Sequence, residues 1–189
     1  MKIGFAVTGS FCTLRNIIEV LKTIVDQGHD VTPIFSFNVS NLDTRFYRAI
    51  DFEKDVITLT GKKPIKTIVD AESMGTSKAV DLLLVAPCTG NTLSKIACGI
   101  TDTPVTMAVK ATLRNNKPVV ISVSSNDSLG ANAKNIGALL NTRNIFFVPF
   151  GQDNHLKKPN SLIADTSLIL PTCTEAIQGK QLQPLFFTL

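Results

Sequence analysis

The sequence contains no tryptophan, one tyrosine and only two histidines in 189 residues. Its four cysteines, Cys12, Cys88, Cys98 and Cys173, include no CxxC pair. Two imidazoles and scattered thiols do not supply a zinc set, so no metal site is expected. No apolar stretch approaches the ~20 residues of a membrane helix. Lys2 leads straight into the run Ile3–Val7 and then a glycine turn. That run is too short for a signal-peptide core, which predicts a cytosolic chain with reduced thiols and no membrane partner. A basic run is missing as well. Nineteen Lys and Arg against fifteen Asp and Glu leave a net charge of +4, spread along the chain, and Lys62-Lys63 and Lys157-Lys158 are isolated pairs. A nucleic-acid face needs clustered cations with interleaved aromatics, so no nucleic-acid partner is expected; the mild excess suits a small anion.

What the chain does have is aliphatic bulk: 44% of it is hydrophobic and 18% charged. That balance supports a sizeable buried core, and the length predicts one domain over 1–189. Strand-length apolar runs recur at Ile3–Val7, Val31–Phe37, Asp81–Ala86, Pro118–Val123 and Ile145–Phe150, with helix-period segments between most of them. Continuous rather than alternating runs suit a parallel sheet covered on both faces. The expected fold is therefore α/β, a three-layer doubly wound parallel sheet of Rossmann-like or flavodoxin-like kind. Leu14, Ile17, Ile18, Leu21 and Val25 predict a first helix that starts after Ser10 and stops at Gly28. A helix through Leu93, Ile96, Ala97 and Ile100 should be capped by Asn91 or Thr92, and Pro104 should start another. In 43–80, Phe46, Ile50 and Ile57 fit a helix loosely and Ile65–Val69 reads as a short extended piece. The polar, breaker-rich segment 151–167 predicts a mobile flap, followed by a last helix and the apolar tail Leu185–Leu189.

In an open parallel sheet the ligand crevice lies beyond the carboxyl ends of the strands. Three turns there are polar: Thr8-Gly9-Ser10, Pro87 to Thr92, and Ser124 to Asp127. Each is explained as well by an ordinary capped turn as by a ligand. At one sheet edge, however, the three would form a pocket for a phosphate and a flat ring, which makes mononucleotide binding a candidate. The first turn lacks the further glycines of GxGxxG and the lysine of a Walker A loop, which disfavours dinucleotides and ATP.

VAPCTGNTLSKIACGITDTP at Val85–Pro104 resembles the PASANT region of the homo-oligomeric flavin-containing cysteine decarboxylase family. GFAVTGSFC at Gly4–Cys12 and KPVVISVSSNDSLG at Lys117–Gly130 are similar to that family in position and spacing. Within the superfamily, APCTGNTLSKIA, KATLRNNKPVV, SSNDSLG and FVPFGQDNHLKKPNSLIA most resemble the family of dipicolinate synthase B subunits, over nearly the whole chain. The resemblance implies FMN as cofactor, with its phosphate at Gly9, Ser10 and Ser36, Cys88, Thr89, Asn91 and Thr92 near the ring or ribityl chain, and Ser124 closing the pocket. It supplies no cationic partner for the phosphate and no catalytic residue. It further implies a homo-oligomer that works beside an NAD(P)-type Rossmann A subunit. Together they would oxidise dihydrodipicolinate, or its hydroxy-tetrahydro precursor, to dipicolinic acid in the mother-cell cytoplasm of a sporulating bacterium. A non-catalytic scaffold for the A subunit and an independent FMN enzyme are the alternatives.

The departures are informative. The decarboxylases carry a histidine where Thr67 stands here, and a threonine is no general base, so cysteine-peptide decarboxylation is excluded. The prenyltransferase branch needs a basic residue near Ser124 and is disfavoured too. His29 and His155 read as incidental. Cys88 would feel a helix N-terminus, which lowers a thiol pKa, although a buried structural thiol is the commoner case. Lys157 and Lys158 are candidates to meet the two carboxylates of the substrate, and a solvated loop is the plainer account of both.

Overall fold

The computed structural model describes residues 1–75 and 80–186. The first apolar run becomes β1 (Lys2–Val7), which lies between β2 (Asp30–Phe35) and β3 (Leu82–Cys88) and is parallel to both. β3 pairs parallel with β4 (Val119–Ser125), and β4 with β5 (Ile145–Phe147). All of β3 is buried, as expected of a strand with helices over both faces. The order β2-β1-β3-β4-β5 is the flavodoxin-like arrangement.

Helix α1 (Leu14–Asp26) follows a 3-10 turn at Phe11–Thr13. It buries Leu14, Ile17, Leu21 and Ile24, whereas Ile18 and Val25 of the expected stripe are only partly covered. Gly28 ends it with a φ of +79°, a conformation that favours glycine. The ambiguous stretch after β2 resolves into α2 (Phe37–Asn41), α3 (Ala49–Thr60) and α4 (Ile68–Glu72). α3 turns Phe52 and Val56 inward rather than Ile50, which is 64% exposed. The expected extended piece reduces to a single parallel bridge from Ile65 to Ile34 before α4 begins. Residues 76–79 of this stretch lie outside the described residues. Helix α5 (Gly90–Ala97) starts two residues earlier than an Asn91 cap allows: Thr89 is the cap, accepting from the Thr92 N–H. Pro104 opens α6 (Pro104–Arg114) as expected, behind a reciprocal Thr103/Thr106 capping box. Because the strand order reverses between β1 and β3, right-handed crossovers set α1 and α6 on opposite faces of the sheet. Helices α7 (Ala133–Leu140) and α8 (Ile169–Ile177) complete the cover, α7 against β5 and α8 against β3, β4 and β5.

The segment expected as a mobile flap over 151–167 forms a hairpin, β6 (Phe150–Asn154) and β7 (Lys158–Ala164), leading to a 3-10 turn at Thr166–Leu168. β7 runs antiparallel to β4 through Ser124↔Ile163 and Ser125↔Leu162, so one edge of β4 serves β5 at its start and β7 at its end. The sheet is thus mixed at that side. Gln152 to Asn160 face solvent, so the hairpin needs no apolar run to form and reads as a loop in the sequence. Of the expected apolar tail, Phe186 bridges to Phe150; residues 187–189 lie outside the described residues. Among the described residues no helix is long and apolar enough to cross a membrane, and no group of His, Cys, Asp and Glu could hold a metal.

Candidate functional site

The ends of β1, β3 and β4 are pinned together by side chains from the three polar turns. Thr8, 1% exposed, donates its hydroxyl to the Pro87 carbonyl at 2.7 Å and accepts from the Thr89 N–H at 3.0 Å. Ser10 and Ser124 join hydroxyl to hydroxyl at 2.8 Å across the sheet edge. Ser10 makes no side-chain cap bond, so its oxygen faces the crevice rather than its own helix. A cleft of about 500 Å³ results, lined by Gly9, Ser10, Thr89, Gly90, Ser124 and Ser125. It sits where the strand order reverses, the position at which open α/β sheets take their ligands, and its size lies within the ~300–1,000 Å³ of small-molecule sites. Arg45 and Phe46 complete the lining, as do Asp153, Lys158 and Ser161 of the hairpin.

Two glycines set the shape. A Cβ on Gly9 would crowd the Phe11 ring at 3.3 Å and Asn38 Cβ at 3.4 Å, which places the N-terminus of α2 beside this turn. A Cβ on Gly90 would come within 2.6–2.7 Å of Asn132 Nδ2, Asp127 Oδ1 and Ser125 Oγ. Behind Gly90 these groups form a chain of hydrogen bonds. Ser125 Oγ donates to Asp127 Oδ1 at 2.6 Å, and Asn132 Nδ2 donates to both Asp127 oxygens at 3.1 and 3.0 Å. Ser94 Oγ donates to Asn132 Oδ1 at 2.6 Å, and Asn135 Nδ2 to Ser94 Oγ at 3.0 Å. Asn132 and Asn135 are buried amides that no motif singled out. The one signal for them was the density of Asn and Asp in SSNDSLGANAKN.

Of the residues drawn from the resemblance, Gly9, Ser10, Thr89 and Ser124 line the cleft together. Ser36 caps α2, accepting from the Val39 N–H at 3.4 Å. Thr92 is 7% exposed and receives the Thr89 hydroxyl at 3.2 Å from behind. Asn91 is exposed and lies outside the cleft lining. Cys88 is fully buried, and desolvation pushes its thiol pKa up, opposite to the lowering expected of a helix N-terminus. Thr67 spends its side chain on capping α4, accepting from the Asp70 N–H at 3.0 Å and donating to Asp70 Oδ2 at 2.6 Å. His155 is exposed near the hairpin tip, and His29 Nδ1 lies 3.1 Å from the Met1 nitrogen, so neither meets the cleft. Lys158 reaches the cleft and pairs with Asp153 at 2.8 Å, while Lys157 is exposed outside it. Nothing in the sequence singles out Arg45, which adds a second cation to the lining.

The family model for flavoproteins matches residues 1–168. The chain is 45% identical over 184 residues to the dipicolinate synthase B subunit of Bacillus subtilis (strain 168), covering 97% of this chain and 92% of that protein. The crystal structure of the dipicolinate synthase B subunit from Bacillus halodurans superimposes with a TM-score of 0.91 at 41% identity, covering 99% of this chain and 96% of that one. The FMN-dependent cysteine decarboxylase SpaF superimposes with a TM-score of 0.70 at 20% identity, covering 95% of this chain and 97% of that one, a likeness of fold.

Proposed function

The chain belongs to the flavoprotein family, in the branch of dipicolinate synthase B subunits, and from that premise we propose that its cleft holds FMN and supports formation of dipicolinic acid. The observation that carries this reading is the convergence of Gly9, Ser10, Thr89 and Ser124 on one cleft at the β1/β3 reversal. Short hydroxyls and a turn without a Cβ leave room for a phosphate and a flat ring, and Arg45 and Lys158 suit an anionic ligand. Gly9, Ser10 and Ser36 take the phosphate, Ser36 from the α2 terminus that abuts Gly9. Thr89 and Ser124 face the ribityl chain or ring, Cys88 and Thr92 support that wall from behind, and Asn91 stands on the outer rim. FMN there would supply an acceptor for the two electrons that leave when dihydrodipicolinate, taken up as such or formed by loss of water from its hydroxy-tetrahydro precursor, becomes aromatic. The chain's own part is to seat the ring, exclude water with the hairpin, and present a homo-oligomeric surface to an NAD(P)-type A subunit.

A second reading is favoured by Thr67: with its hydroxyl engaged in a helix cap and no imidazole lining the cleft, the chain would be a scaffold for the A subunit rather than a catalyst. Titration of the purified chain with FMN, followed by quenching of flavin fluorescence, separates the two. Saturable binding that Ser10→Ala and Ser124→Ala each weaken about tenfold is the expected result. An absence of binding would leave the scaffold.

A further inference from the structure

A second recess of about 500 Å³ adjoins the cleft, and Arg45 and Phe46 belong to both. The charged and phenolic groups in the rest of its lining are Arg15, Glu19, Tyr47, Arg48 and Asp51. Three arginines therefore meet two carboxylates. Arg48 is already engaged, donating from Nε and Nη2 to the Asp51 oxygens at 2.7 and 3.0 Å. Arg15 and Arg45 are left facing Glu19, and among the described residues neither forms an ion pair. The Arg45 guanidinium lies over the Phe46 ring, 4.8 Å from its centre. Stacking restricts the guanidinium plane while its N–H edge remains available to a planar oxyanion.

The loop that carries these two residues is well braced. Thr44 Oγ1 accepts from the N–H groups of Phe46 and Tyr47, both at 3.2 Å, and Asp43 Oδ1 accepts from Ala49 N–H at 2.8 Å. Tyr47 packs edge-on against Phe52 at 5.4 Å and donates its phenol to Asp55. Burial and that carboxylate push its pKa up to about 12, so the anchor stays neutral. The bracing fixes the backbone that carries Arg45 and Phe46, so binding there need not order the loop.

We propose that this recess is a carboxylate subsite for an acidic, planar ring substrate, with Arg15 and Arg45 as its receptors and Phe46 as the wall shared with the flavin cleft. The assignment rests on the reading that the cleft holds FMN for a pyridine-dicarboxylate-forming reaction. It differs from the pairing of the substrate with Lys157 and Lys158 that the sequence offered as a candidate, since Lys158 lines the flavin cleft and not the arginine recess and Lys157 lines neither. The flavin phosphate is the competing occupant of Arg45.

The test is calorimetric titration of the full-length chain with pyridine-2,6-dicarboxylate, and separately with FMN and riboflavin. Arg15→Met and Arg45→Met are compared with Arg114→Met, which removes the same charge from an exposed position at the end of α6. Circular dichroism checks that each variant folds. Each recess variant should weaken dicarboxylate binding about tenfold or more and FMN binding less than about twofold, Arg114→Met should change neither, and Arg45→Lys should recover only part of the loss. Undiminished dicarboxylate binding in both recess variants overturns the subsite, as does a wild-type chain that binds no dicarboxylate with or without FMN. Loss of FMN but not riboflavin affinity in Arg45→Met, with dicarboxylate binding intact, assigns that arginine to the phosphate and also overturns it. If the wild type binds dicarboxylate through these arginines yet takes no FMN, the flavin reading fails and the subsite stands.

Discussion

One wall of the cleft is made by the ends of β1 and β3, the other by the β6–β7 hairpin, and different physics holds each in place. On the first wall Thr8, Pro87 and Cys88 are buried, and the bonds that join the two turns are shielded from water. The base of the hairpin wall is held by β4 and buries Ser161 and Leu162, but its outer part reaches the cleft through Lys158 and Asp153, whose side chains are 53% and 34% exposed. A shielded hydrogen bond holds a fixed geometry, whereas an exposed ion pair is screened and yields to a ligand. The cleft thus combines a rigid template with an adjustable cover.

The largest contrast should appear in thiol reactivity. Cys88 and Cys173 are buried, and desolvation raises both pKa values, to about 12 for Cys173; Cys12 and Cys98 are exposed. A disulfide reagent should titrate two thiols at once and the buried pair about a thousandfold more slowly, through opening of the core. Fast labelling of Cys88 would break the claim of a rigid wall. Next in size, Leu84→Ala in β3 should lower unfolding free energy by about 2–5 kcal/mol, while Leu156→Ala at the hairpin tip, 84% exposed, should leave it unchanged in urea melts. Thr8→Val keeps the shape but leaves the Thr89 N–H without its partner; a loss of about 1–3 kcal/mol and weaker FMN binding are expected. The smallest effect should come from Lys158→Ala: no shift in melting, and a few-fold, salt-sensitive loss of FMN affinity. A larger stability loss there than at Thr8 would reverse the comparison.

The same division marks what was legible in the sequence. β1, β3 and β4 must be apolar because both faces are covered, so their runs announce them, and the turns that follow were readable as polar punctuation. The hairpin has one solvated face and an open edge, conditions that select polar residues and erase the strand signal. Thr89, Asn91 and Thr92 are all competent caps; packing of Gly90 against Asn132 and Asp127, a long-range contact, decides for Thr89. Asn135 and Asn132 stood out only as part of an Asn- and Asp-rich stretch for a related reason, since an amide is buried only when distant partners satisfy it. Arg45 and Phe46 belong to a loop whose bracing by Thr44 and Asp43 has no periodicity to detect. Residue types at strand ends could be read; the elements that close over them could not.

Thr8 carries one consequence beyond its own bonds. With its hydroxyl shared between the Pro87 carbonyl and the Thr89 N–H, the turn after β1 and the turn after β3 cannot shift independently. Substitutions at Ser10 and at Thr89 should therefore show energetic coupling in a double-mutant cycle although their side chains share no hydrogen bond, and removing the Thr8 hydroxyl should return the pair to additivity.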